Sequence, residues 1–142
     1  MMRMVLDTSV LVASIRSPGG ASKQLLLLAL EGRFTVVTSV PLVLEYEAVL
    51  TRAVHVAASG LSFHEVDEFL ESVVTVSEPV RLAFAWRPIL RDPDDDMILE
   101  TAANGRADTI VTFNRRDFPE ALSRFGIEVL LPGDALKRVK RL

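Results

Sequence analysis

The chain has no cysteine, so disulfides, thiolate nucleophiles and cysteine-type zinc sites are excluded, and a reducing compartment is the natural expectation. Aromatic residues are few, with one Trp and one Tyr. The two histidines, His55 and His64, lack the spacing that would pair them on a metal, and both read as surface or interface residues. Long apolar runs are missing too: the longest uninterrupted one, Leu25 to Leu30, falls far short of the ~20 residues of a membrane span. The N-terminal MMRMVLDTSV has no extended apolar core of the signal-peptide kind. These absences predict a soluble, cytoplasmic protein with no membrane partner. The formal charge of -3 supplies no broad basic field, so any contact with nucleic acid has to be local, through patches or metal ions.

What remains is ordinary globular composition, 49% hydrophobic and 25% charged over 142 residues. That length suits a single domain spanning 1–142, and no repeat, low-complexity tract or linker divides it. Met4 to Leu6 reads as a buried strand ending at Asp7, and SPGG (Ser17 to Gly20) as a loop. A helix is expected from Ser22, with Gly32 as its C-cap, followed by the strand FTVVTS. VPLVLEYEAVLTRAV then predicts one helix with Pro41 in its first turn. LSFHEVDEFLESVV opens with Ser62 and Glu65 at capping-box spacing, and Phe63, Val66, Phe69, Leu70 and Val73 form its apolar stripe. Thr75 to Leu90 carries little pattern beyond a short strand and turns. Met97 to Asn104 is helical and Gly105 ends it; DTIVTFN is strand then turn, PEALSRFG a short helix, and IEVLLPG a last strand before a C-terminal helical turn. Strands alternating with helices predict an α/β fold, a three-layer α/β/α sandwich around a mostly parallel sheet. Ligands in such folds sit outside the carboxyl ends of the strands.

Acidic residues gather at those ends. Asp7 leaves the first strand, where a loop-capping role and a functional one are equally open; Thr8 and Ser9 could hydrogen-bond its carboxylate or cap the next helix. Glu45 shares a helical face with Leu42, Val49 and Ala53 and is expected to turn inward, while Glu47 lies about 200° away on the wheel and faces solvent. A buried glutamate is costly unless paired or metal-bound. In LRDPDDDMILETAA, the dipole and free N–H groups of a helix start explain one or two of Asp92, Asp94, Asp95 and Asp96. Asp94 and Asp95 read as cap and solvent-facing, and Asp96, against MIL, as the acid aimed at the sheet edge. Asn114 and Asp117 leave the strand TIV, although Asp117 with Glu120 also has capping-box-like spacing. Carboxylates brought together in this way repel unless a cation lies among them, and oxygen donors suit Mg2+ or Mn2+.

Read in order, VLDTSVL, LVLEYEAVL, DPDDDMILETA and TIVTFNRRDFP resemble the PIN-domain family, and most of all its VapC-like ribonuclease toxins and related bacterial PIN proteins. The resemblance spans Met4 to about Pro132 and rests on the order and spacing of the motifs together. It implies that Asp7, Glu45, Asp96 and Asp117 are the catalytic and metal-holding acids, with Ser9, Thr112 and Asn114 as accessory polar groups. It implies metal-dependent endonucleolytic cleavage of RNA, in which one or two Mg2+ or Mn2+ ions activate water for in-line attack on a phosphodiester. It also implies a homodimer and, on the toxin branch, a neutralising antitoxin protein. Positive charge for the RNA backbone is expected from Arg115 and Arg116, with Arg16, Lys23 and Arg91 near the same edge. The terminal LKRVKRL offers phosphate or antitoxin contacts or, more simply, a solvated helix.

Other readings fit less well. A receiver domain wants an acidic pair after the first strand, and a haloacid-dehalogenase phosphatase wants a second Asp where Ser9 stands. Dinucleotide binding wants a glycine-rich first turn. An RNase H-like nuclease wants an early antiparallel meander. The rivals that remain are a catalytically idle PIN-type module binding RNA or protein, and a housekeeping RNA-processing nuclease.

Overall fold

The computed structural model describes residues 1–83 and 93–142; at residues 93, 120, 122 and 123 it describes the backbone alone. The chain alternates strand and helix: β1 (Arg3–Leu6), α1 (Thr8–Arg16), α2 (Ala21–Leu30), β2 (Thr35–Thr38), α3 (Val40–Leu50), α4 (Ala53–Ser59), α5 (Phe63–Val76) and β3 (Glu78–Pro79). There follow α6 (Pro93–Asn104), β4 (Thr109–Val111), a 3-10 turn (Arg115–Asp117), α7 (Pro119–Phe125), β5 (Glu128–Leu130) and α8 (Pro132–Lys140). Among the described residues there are five strands, all parallel, in the order β3-β2-β1-β4-β5, and helices flank the sheet. The α/β architecture is the one the alternation predicts.

Strands β1, β2 and β4 are short runs of apolar and β-branched residues because both faces of the sheet are covered. Met4, Val5, Leu6, Val37, Ile110 and Val111 are all wholly buried. The chain winds outward from β1 through β2 to β3, then crosses back to place β4 on the other side of β1. This reversal opens a crevice at the carboxyl end of β1, the usual place for a ligand in an open parallel sheet.

Local chemistry sets the helix boundaries. Ser39 caps α3 by accepting from the Leu42 N–H at 3.4 Å, with Pro41 in the first turn. The Ser39 hydroxyl also meets the Thr101 hydroxyl of α6 at 2.8 Å in the buried interior, so it braces two helices against each other. At α5 the capping box is complete: Glu65 N–H donates to Ser62 Oγ at 3.1 Å, and Ser62 N–H to Glu65 Oε1 at 3.0 Å. Gly105 follows α6 because nothing larger fits. A Cβ there would lie 2.5 Å from Val37 Cγ1 and 2.9 Å from the Thr101 carbonyl oxygen. At the amino edge of the sheet, Arg3 pairs with Glu78 and donates to the Gly105 carbonyl at 2.7 Å, tying β1, β3 and the end of α6 together. That pairing raises the pKa of Arg3 and lowers that of Glu78.

Several expectations are corrected. VPLVLEYEAVLTRAV is two helices, broken at Thr51 and Arg52 before α4. Phe63 is exposed instead of joining the α5 stripe, whose buried members are Val66, Leu70 and Val73. Helix α6 starts at Pro93, a residue well suited to a first turn, and not at Met97. The C-terminal segment is a nine-residue helix whose Leu136 and Val139 are buried, with Arg138 paired to Glu128 at 3.1 Å. Arg91 and Asp92, named above for phosphate contact and helix capping, lie outside the described residues, as do residues 84–90 before them.

Candidate functional site

Asp7 is the residue at which β1 becomes α1. It stands at the N-cap position, yet its side chain makes no capping hydrogen bond. Its Oδ2 instead accepts from Ser9 Oγ at 3.0 Å and from Thr112 Oγ1 at 2.7 Å. Two hydroxyls, one from α1 and one from the end of β4, therefore fix this carboxylate over the carboxyl edge of the sheet. The strand ends are further locked by Asp7 N–H donating to the Val111 carbonyl at 2.9 Å.

Thr112 passes the connection on. Its Oγ1 accepts from the Asn114 N–H at 3.1 Å, and Asn114 Nδ2 donates to Asp117 Oδ2 at 2.8 Å. A chain of hydrogen bonds thus runs Asp7–Thr112–Asn114–Asp117. With Ser9 joined to it at Asp7, the chain takes in both acids that leave strand ends and the accessory residues Ser9, Thr112 and Asn114. Asp117 itself is partly buried in the 3-10 turn.

A cleft of about 390 Å³ opens beside Asp7. Its acidic lining is Asp7, Glu45, Asp94 and Asp95, carried by β1, α3 and α6. Val12, Val49 and Ile98 make its apolar wall. Glu45 is half-buried at the margin and not fully turned in, while Glu47 is exposed and lines a separate hollow with Asp67 and Glu71. Asp96 does not line the cleft and is buried, 3% exposed. The cause is the helix start: with α6 beginning at Pro93, Asp94 and Asp95 fall one turn before Ile98 and share its face. Asp96 is rotated off it. Asp117 also lies outside the cleft lining and reaches it only through Asn114 and Thr112.

One residue that sequence reasoning passed over holds the floor of the site. Tyr46 is fully buried and its hydroxyl donates to the carbonyl of Leu6, the residue before Asp7. Burial, and secondarily the nearby Asp7 charge, push its pKa well above the ordinary 10.0. Its burial is signalled in the sequence, because Leu42, Tyr46 and Val49 fall on one helical stripe.

The donor set is all oxygen, which fits Mg2+ or Mn2+ better than softer metals. Asp7 has one oxygen engaged by hydroxyls and another left over for a ligand. Among the described residues, no three or more Asp, Glu or His side chains are grouped closely enough to hold an ion as they stand. The acids are spaced around the cleft.

Of the cationic residues expected at this edge, Arg115 and Arg116 are exposed next to Asn114. Arg16 contacts His55 Nδ1 at 3.3 Å, and Lys23 sits 3.9 Å over the Phe69 ring, so both are engaged elsewhere. His64 pairs with Glu68 at 2.5 Å on the surface of α5. No helix among the described residues is long and apolar enough to cross a membrane.

No curated protein matches the chain at a significant level. A family model described as the PIN domain matches residues 3–116, a stretch that takes in Asp7, Glu45, Asp94 to Asp96 and Asn114 and stops one residue short of Asp117. PIN domains are generally nucleases, and typically metal-dependent ones. With the match covering most of its length and the parallel sheet to go with it, the chain belongs to the PIN-domain family.

Proposed function

We propose that this PIN domain is a Mg2+- or Mn2+-dependent endoribonuclease that hydrolyses RNA phosphodiester bonds at the cleft beside Asp7, as the toxin of a VapC-like toxin–antitoxin pair. The observation that carries the reading is the convergence of carboxylates from three separate elements on one open cleft, with the central one held by two hydroxyls. Asp7, Glu45 and Asp95 are the residues assigned to hold the ion; Asp94 lines the same cleft and is the more exposed of the α6 pair. This departs from the resemblance, which puts Asp96 in that role. When bound, a divalent ion supplies Lewis acidity and a water of lowered pKa.

The protein's own groups do the positioning. Ser9 and Thr112 keep the Asp7 carboxylate correctly turned. Asn114 orients Asp117 beside the two arginines, where it serves the site at one remove. Arg115 and Arg116 offer their guanidiniums to the phosphates that the acids would otherwise repel. A homodimer, a cognate antitoxin and a cytoplasmic location belong to the same proposal. The rival is an idle RNA-binding module, favoured by the spacing of the acids around the cleft.

Cleavage of single-stranded RNA with Mn2+ decides between them. The wild type is expected to cut and Asp7→Asn and Asp95→Asn to be inactive, with Glu47→Gln close to wild type. A wild type inactive under both metals favours the idle module. Growth arrest on induction, relieved by the product of an adjacent short reading frame, tests the toxin role.

A further inference from the structure

Phe113 is out of place among the apolar residues. It follows Val111 and Thr112, both wholly buried, yet it is 52% exposed. It lines two cavities, of about 540 and 440 Å³. The larger has an apolar floor of Phe118, Val129 and Leu131 and carries Arg115 and Arg116. Neither guanidinium has an ion-pair partner among the described residues. The smaller has Ala13, Ala21 and Pro132 in its wall and Lys137 beside them.

A flat apolar ring with unpaired guanidiniums alongside matches one ligand chemistry closely. A nucleobase stacks on the ring, and its phosphate is met by the cations. In a protein of net charge -3 this combination is local, and it adjoins the acidic cleft: Thr112, the residue before Phe113, hydrogen-bonds Asp7 at 2.7 Å. A base inside a duplex has both faces covered by its neighbours and cannot reach such a ring, whereas an unpaired base can.

We infer that Phe113 is the stacking platform for a base of single-stranded RNA, held at its phosphate by Arg115 and Arg116, so that the adjoining phosphodiester is delivered to the cleft. The inference rests on the nuclease reading and adds to it a residue, Phe113, that positions the substrate base.

Binding measured without divalent cation tests it, because no cleavage then intervenes. A fluorescein-labelled single-stranded oligoribonucleotide, and the same strand annealed to its complement, are titrated with each variant and followed by anisotropy. Phe113→Ala is expected to weaken single-strand binding by about tenfold or more. Phe113→Trp keeps the affinity, and its added fluorescence is quenched as the strand binds. Unchanged single-strand affinity in Phe113→Ala, or duplex bound as tightly as single strand by the wild type, overturns the inference. The two readings fail separately. A wild type that never cleaves with Mn2+ sinks the nuclease reading while the anisotropy still decides on Phe113. Normal cleavage with Phe113→Ala binding as wild type sinks the stacking alone.

Discussion

Thr112 Oγ1 donates to Asp7 Oδ2 at 2.7 Å, joining the ends of β4 and β1 across 105 positions of sequence. The hydroxyl also accepts from the Asn114 N–H, so one small side chain fastens the acid to its strand and the following turn to both.

Replacing Thr112 by Val keeps the shape and removes this junction. Hydrogen bonds to charged groups contribute about 1.5–3 kcal/mol, so urea denaturation should show a loss of that order, largely restored in Thr112→Ser. Equal stability of the Val variant would mean the bond contributes nothing.

Asp7→Asn keeps an acceptor for the two hydroxyls and removes one of four charges facing the cleft. Without metal, its melting temperature should equal or exceed that of the wild type. Added Mn2+ should raise the melting temperature of the wild type and leave Asp7→Asn unmoved, since only a state that binds the ion is stabilised by it. A marked loss of stability without metal would make Asp7 a structural residue.

Asp95 and Asp96 separate geometry from resemblance. Asp95 lines the cleft and Asp96 is buried away from its lining. Asp95→Asn should lose Mn2+-dependent cleavage at nearly unchanged stability, and Asp96→Asn should change stability first. Cleavage abolished only by Asp96→Asn, in a protein that melts like the wild type, would restore the assignment implied by the resemblance.

Tyr46 is the one tyrosine, so ultraviolet titration reports on it alone. Its folded pKa lies well above 10.0, the value it regains on unfolding. A group with a raised folded pKa contributes fully below its unfolded pKa, and that contribution is lost as pH rises through the folded value. Stability should therefore decline above about pH 10, with tyrosinate absorbance appearing only as the protein unfolds. Tyr46→Phe should cost about 1 kcal/mol at neutral pH and flatten that alkaline decline. Ionisation near pH 10 in the folded protein would contradict the burial.

Gly105→Ala forces a Cβ against Val37 and the Thr101 carbonyl. Overpacking of this kind costs about 1–3 kcal/mol, and the damage should appear in the pairing of β2 more than in cleavage. A variant as stable as the wild type would show that α6 can shift.

Much of this was legible in sequence, for reasons that particular residues make plain. Met4 to Leu6 and the TIV strand announce a doubly covered sheet because they are apolar or β-branched and carry no charge on either face. Ser62 and Glu65 fix a helix start through bonds only three residues apart, which spacing alone can reveal. The break at Thr51 and Arg52 was hidden, because helix-forming residues continue on both sides of it. The choice among Asp94, Asp95 and Asp96 depended on where α6 begins: moving the start from Met97 to Pro93 turns a different acid toward the cleft. Tyr46 escaped because its partner is a backbone carbonyl 40 positions away, which no local pattern encodes.

The parallel pairing of β1 with both β2 and β4 has a consequence for synthesis. The strand that leads into Asp7 is made before β4, and β4 and the Thr112 hydroxyl follow it by more than a hundred residues. Such long-range pairing cannot precede the arrival of the distant strand. A nascent chain therefore has no assembled acidic cleft until β4 and Thr112 have been made, and that delay is written into the strand order.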